Sequence, residues 1–205
     1  MAASVESGQP AQAAALFPLF LKLSGRAVVV VGGGPVATAK VKALLETGAE
    51  ILVVAPELRP ELEAWAAAGK ISIARRCFEA SDLGAVWLVV AAAPPEVNRV
   101  VAAEAESRRL YVLAVDDPSA ASAYGAGTLR RGGVTVAVST DGRAPALAGL
   151  IREGLDELLP VDLADWSAEA ERQRASWRAA LTPMTARRPL LLEALNRLYQ
   201  ARVSG

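Results

Sequence analysis

Ala27-Val28-Val29-Val30-Val31 runs straight into Gly32-Gly33-Gly34-Pro35-Val36-Ala37, and this junction limits the possible folds more than any other stretch of the 205-residue chain. An unbroken β-branched run suits a strand with protein on both faces, as in a parallel sheet covered by helices. The spacing Gly32-x-Gly34-x-x-Ala37 then gives each small residue a task. Gly32 permits a tight turn, Gly34 lets backbone approach a diphosphate, and Ala37 lets the next helix lie close to the sheet. Pro35 suits the first helical position, where a missing N–H costs nothing. The helix N-terminus beyond offers free N–H groups and the positive end of a dipole. Three glycines could form a plain turn, but a plain turn does not call for this spacing between a strand and a helix. The pattern predicts a dinucleotide site made by Gly32, Gly33, Gly34, Pro35 and Val36.

The rest of the chain repeats the strand–helix alternation expected of an α/β, Rossmann-type parallel sheet. Strands are predicted over residues 50–55, 70–75, 87–92 and 110–115, with helices over 35–47, 60–68 and 96–108. Residues 17–23 read as an additional strand, placed at an edge by Pro18. After Asp117 the sequence becomes small and polar, and Gly132-Gly133 marks a turn before a strand over 134–139. A helix over 145–158 carries the stripe Leu147, Ile151, Leu155 and Leu158, and Pro160 closes it. Trp166 and Trp177 fall nearly in line on a further helix, Thr182-Pro183 interrupts it, and a final helix spans 190–201. These readings give a disordered tail over 1–15, a Rossmann domain over 16–118, a strand–helix unit over 119–160 and a helical part over 161–205. One strand and one helix cannot bury their apolar faces alone, so a homodimer is expected to cover them.

Composition narrows the chemistry. The 22 basic and 22 acidic residues cancel, so no overall field draws the chain to nucleic acid or anionic lipid. No apolar run approaches the ~20 residues of a membrane helix, and the N-terminal residues lack a signal-peptide pattern. A soluble cytoplasmic protein is expected. Histidine is absent and Cys77 is the only cysteine, which leaves no CxxC or zinc site and assigns any proton transfer to other side chains. Asp116 stands where the fifth strand ends, along the edge at which such sheets bind ligands. It reads as a general base or, with Asp117, as a turn cap before Pro118. Pro56 and Glu57 follow the second strand. Glu57 can meet a ribose hydroxyl or simply begin the next helix, and Arg59 leaves room for a 2′-phosphate; NAD is favoured over NADP. Cys77, behind Arg75-Arg76, reads as a packed small residue. No tyrosine is followed by lysine at the spacing of short-chain reductases.

Taken together, Phe17-Pro18-Leu19-Phe20-Leu21, the 31–37 turn with Lys40, Val54-Ala55-Pro56-Glu57-Leu58, Val115-Asp116-Asp117-Pro118, Ala120-Ala121-Ser122, and Ala137-Val138-Ser139-Thr140 before Ala144-Pro145-Ala146-Leu147-Ala148 resemble one family. It is that of precorrin-2 dehydrogenases and the N-terminal module of siroheme synthases, and the likeness covers residues 16–160. The resemblance implies NAD-dependent oxidation of precorrin-2 to sirohydrochlorin, a dimer built through the strand–helix unit, and an essential Asp116. Some relatives also insert iron into sirohydrochlorin, so a bifunctional dehydrogenase and ferrochelatase is one alternative. A non-catalytic NAD sensor is another. A tetrapyrrole rich in carboxylates calls for cations and polar groups, for which Ser122, Arg130, Arg131 and Arg143 are the candidates, with Arg152 nearby in sequence. Departures from the family pattern at Leu113, Ala93-Pro94, Ala123, Ala126, Asp141 and Gly149 cluster on the substrate side.

Overall fold

β1 (Ala27–Val31) is the middle strand of a five-stranded parallel sheet. The structure is a computed structural model and describes residues 15–115 and 117–203. The order is β3-β2-β1-β4-β5, formed with β2 (Glu50–Val54), β3 (Ser72–Ala74), β4 (Leu88–Ala91) and β5 (Tyr111–Ala114). The valine run has a direct cause in this arrangement. Val28 and Val30 pack under α1 (Pro35–Leu45) and α2 (Pro60–Ala67), against Val41 and Leu62. Val29 and Val31 face the other way, toward Val101 and Ala105 of α3 (Pro95–Ser107). All four are at most 2% exposed, and each contributes about 1.5–3 kcal/mol by burial.

Register decides where the strands end. Val31 pairs with Val54 and Ala91, Val54 with Ala74, and Ala91 with Ala114. The carboxyl ends of the strands are therefore level. Gly32, Ala55, Arg75, Ala92 and Val115 follow along one edge, with the reversal of strand order between β1 and β4. The expected Rossmann-type α/β fold is what the chain adopts.

Residues 17–23 correct the sequence reading, because they form no strand. Pro18 lacks a donor, and the outer edge of β5 is already engaged. The Val112 N–H donates to Ser122 Oγ, and its carbonyl accepts from the N–H groups of Ser122 and Ala123. The other edge strand, β3, has only three residues. Within the segment Leu23 is buried, whereas Phe17 and Phe20 are 85% and 72% exposed. The tail expected over 1–15 lies outside the described residues except for Ala15.

The chain divides into two compact units between Tyr124 and Gly125. The second unit holds more strand than the sequence reading gave it. β6 (Gly127–Arg131) pairs antiparallel with β7 (Val134–Val138), so a hairpin replaces the single strand. Gly132 and Gly133 form its two-residue turn with φ of 55° and 79°, the left-handed pair that such a hairpin requires. α4 (Pro145–Leu158) has the expected bounds, and α5 (Leu163–Ala179) carries both tryptophans. α6 (Met184–Val203) begins before the expected 190 and carries Pro189 inside it. A proline there removes only the bond to the Thr185 carbonyl, close to the helix start. Among the described residues no helix is long and apolar enough to cross a membrane.

Candidate functional site

At the level edge of the sheet opens a cavity of about 720 Å³, lined by the 31–34 turn, residues 54–60, Cys77, Phe78, residues 92–94 and Val97. Its floor is fixed by backbone contacts. The Gly32 N–H donates to the Val54 carbonyl at 2.9 Å, and the Arg59 N–H donates to the Gly33 carbonyl at 3.1 Å. Two of the three glycines admit no side chain. A Cβ on Gly32 would lie 2.1 Å from the Ala92 carbonyl oxygen, and one on Gly33 would lie 1.9 Å from that of Glu57. Gly34 differs, since a Cβ there would meet no protein atom within 4 Å.

Gly34 is also the N-cap of α1. That helix start has no side-chain cap, Pro35 in its first turn and no acidic residue there. The positive end of the helix is thus left for an anion beside open space, and the small size of Gly34 gives backbone access to it. These residues fit the diphosphate of a dinucleotide, and the volume lies within the usual range of ligand pockets. Of the residues expected to hold the cofactor, Gly32, Gly33, Gly34, Pro56 and Glu57 line the cavity. Pro35 and Val36 stand in the first turn of α1, outside its wall.

Cys77 corrects another expectation. It is exposed and lines the cavity rather than packing in the core. Short β3 ends before it, and a clasp further on sets the path of the loop. Arg76 donates to both carboxylate oxygens of Asp82, at 2.9 and 2.6 Å, and the Glu79 N–H donates to the same carboxylate. The Asp82 side chain is only 4% exposed. The Arg76 hydrogen bond, more than any other influence, holds its carboxyl below the usual carboxylate range.

That shift has a sign. A carboxyl depressed in the folded state stabilises it above the unfolded value of about 4, and this contribution is lost as pH falls through the lower folded value. Asp82→Asn is therefore expected to lower the melting temperature at neutral pH and to flatten the acid limb of the stability profile below about pH 4. Thermal melts across pH check this; an unchanged acid limb would remove Asp82 from it.

Asp116 lies outside the described residues. Its neighbours Val115 and Asp117 are described. The Val115 N–H donates to the Ala91 carbonyl, which keeps Val115 at the carboxyl edge of β4 and β5. Asp117 is the turn cap: its Oδ1 accepts from Ser119 Oγ at 2.5 Å and from the N–H groups of Ser119 and Ala120. The Ser119 hydroxyl is the main cause of its lowered pKa. Ser122 secures β5 through its hydroxyl oxygen.

In the second unit Arg131 donates to Asp156 and to the Leu159 carbonyl, tying β6 to the end of α4. Arg130 is exposed on β6, and Arg143 is exposed in the loop before α4. Arg152 pairs with Glu153 at 3.0 Å. Phe78, Ala92, Ala93, Pro94 and Val97 were missed as cavity residues; the signal was their place at or just past the carboxyl ends of β3 and β4.

Comparison with known proteins agrees with this geometry. A family model described as "Putative NAD(P)-binding" matches residues 19–126, and one described as "Sirohaem biosynthesis protein central" matches residues 131–158. The chain is 40% identical over 190 residues to "Siroheme synthase" of Neisseria meningitidis serogroup C, covering 92% of this chain and 40% of that protein. It is 41% identical over 192 residues to "Siroheme synthase 1" of Aeromonas salmonicida, covering 92% of this chain and 41% of that one. The chain thus spans about two fifths of the length of these curated relatives. Among solved structures, "SirC, precorrin-2 dehydrogenase" aligns with a TM-score of 0.67 and 27% identity, over 87% of this chain and 88% of that one. The resemblance read from the motifs is borne out. With the cradle, the sheet order and a matching model over more than half its length, the chain belongs to the NAD(P)-binding family.

Proposed function

We propose that the chain oxidises precorrin-2 to sirohydrochlorin with NAD as the hydride acceptor. The observation that carries this reading is the open, uncapped cradle at Gly34 in the wall of the 720 Å³ cavity. The SirC likeness over most of both chains supports the substrate. When bound, the dinucleotide supplies the acceptor for hydride, and the chain's own residues supply position and proton transfer. The 32–34 turn and the start of α1 bind the diphosphate. Glu57, exposed in the same wall, takes a ribose hydroxyl. Arg59 lines the same cavity with its Nε 3.4 Å from Glu61, and NAD is assigned over NADP on the Glu57 carboxylate, which accepts from a ribose hydroxyl and repels a 2′-phosphate. Asp116 receives the proton released as hydride leaves, because histidine is absent and Asp117 is committed to its turn.

Arg130 and Arg143, with Ser122, are assigned to the substrate's carboxylates; Arg131 is assigned to bracing α4. The test is anaerobic incubation with enzymatically made precorrin-2. NADH should form from NAD, and NADPH should form from NADP far more slowly. Tight NADH binding with no oxidation of precorrin-2 would leave a sensor and end the dehydrogenase reading.

We propose further that the chain works as a homodimer in a reducing cytoplasm, as its single cysteine suits. On α4, Leu147, Ile151 and Leu158 are 50%, 41% and 78% exposed on the predicted stripe, with Leu150 beside them at 66%. A contiguous apolar face of this kind marks a contact surface. Ile151→Glu should convert a dimer to monomer in sedimentation equilibrium. A wild-type chain that sediments as a monomer at micromolar concentration would overturn the assignment.

A further inference from the structure

We propose that Asn98 is the positioning residue that holds residues 92–94, one wall of the cofactor cavity, in their binding geometry. The proposal rests on the reading that this cavity takes a nicotinamide dinucleotide. Asn98 lies on the inner face of α3, on the side that carries Val101, Ala102 and Ala105 into the core. At 4% exposure it is a buried polar side chain on a helix face whose other buried residues are apolar. Packing alone would favour an aliphatic residue there.

Its amide has a definite task. Asn98 Oδ1 accepts the Ala93 N–H at 2.9 Å. Ala93 stands just past the end of β4, where the chain leaves the sheet, and α3 begins at Pro95. On the sheet side, the Ala92 N–H donates to the Val31 carbonyl at 2.8 Å. On the helix side, the N–H groups of Val97 and Asn98 donate to the Pro94 carbonyl at 3.0 Å. The Asn98 side chain thus closes the turn between two fixed ends. Ala92 is also the residue whose carbonyl would meet a Cβ on Gly32. Moving this wall therefore moves the surface against which the glycine turn rests. An amide accepts the Ala93 bond without adding negative charge to the wall of an anion site, as an aspartate would.

The test replaces Asn98 with leucine, close in volume but without an acceptor. NADH affinity is measured by fluorescence titration well below the melting temperature, and the Ala93 amide is followed by NMR hydrogen exchange. Asn98→Leu should weaken NADH binding about tenfold, since the orphaned N–H draws the wall out of place. It should raise the KM for the dinucleotide by the same factor, leave the KM for the tetrapyrrole unchanged, and speed exchange at Ala93. A purely structural role would lower the melting temperature and leave the folded protein's NADH affinity intact. A change in affinity under about threefold overturns the proposal. If Asn98→Leu does not fold, the wild-type chain decides: NADH should slow exchange at Ala93, and an unchanged rate overturns the proposal. Failure of the wild-type chain to bind NADH would instead sink the cavity reading on which the proposal rests.

Discussion

Asp116→Ala is expected to cut NADH formation from precorrin-2 by about 10²-fold or more, while NADH affinity stays within about twofold. The size follows from what the chain lacks. Proton transfer by a positioned side chain is worth about 10²–10⁴-fold, and with no histidine a substitute base is hard to find. Asp117, the adjacent carboxylate, cannot take over while Ser119 and the backbone of Ser119 and Ala120 hold it. Asp116→Asn keeps the shape but accepts no proton, so it should fall as far as alanine. Asp117→Ala should behave differently, loosening the turn and lowering stability with a smaller effect on the chemical step. Anaerobic single-turnover assays and NADH titrations separate binding from chemistry. Wild-type turnover by Asp116→Ala would remove the carboxylate from the mechanism.

The second large effect lies in the glycine turn, where three adjacent glycines should respond in two different ways. Gly32→Ala and Gly33→Ala should destabilise the fold by about 3 kcal/mol or more, because each new methyl meets a backbone carbonyl that cannot swing aside. Gly32 carries the further burden of φ = +126°, a conformation that L side chains rarely adopt. Gly34→Ala should fold normally, since φ is −82° and no protein atom lies within 4 Å of the new methyl. Its methyl would stand instead where the diphosphate approaches, weakening NADH binding about ten- to hundredfold. Thermal melts paired with NADH titration distinguish the two classes. Equal loss of stability at all three positions would mean that Gly34 serves the turn and not the ligand.

The first β-α unit was readable because its signals are local. A strand buried on both faces, a turn with positive φ and a proline-started helix each leave their mark within a few residues. Readings that depended on distant partners fared differently. Residues 17–23 have the apolar content of a strand, but the donor and acceptor of Val112 that an added edge strand would use are held by Ser122 and Ala123. β6 reads GTLRR, a weak strand by composition, and it forms because the Gly132-Gly133 turn folds it back on β7. The sequence does carry a signal for this pairing: a two-residue glycine turn before a strand implies a partner strand ahead of it.

The site divides along the same line. The cofactor cradle could be named from spacing, whereas the roles of Cys77, Asn98 and Arg131 could not. Cys77 reads as core material, yet the short β3 and the Arg76–Asp82 clasp bring it to the cavity wall. Arg131 reads as a candidate for an anionic substrate, yet its guanidinium is engaged by the end of α4.

By itself the sequence determined a parallel α/β sheet, a glycine turn between a buried strand and a helix start, and a chemistry that must proceed without histidine, since each follows from residue type and near-neighbour geometry. Only the tertiary structure decided which glycines are crowded and which one faces open space, and which carboxylate caps a turn. It also decided which buried amide braces the cavity. Those answers depend on contacts between segments far apart in the chain, and pairing across such distances is set by the packed sheet and leaves no periodic trace in the sequence.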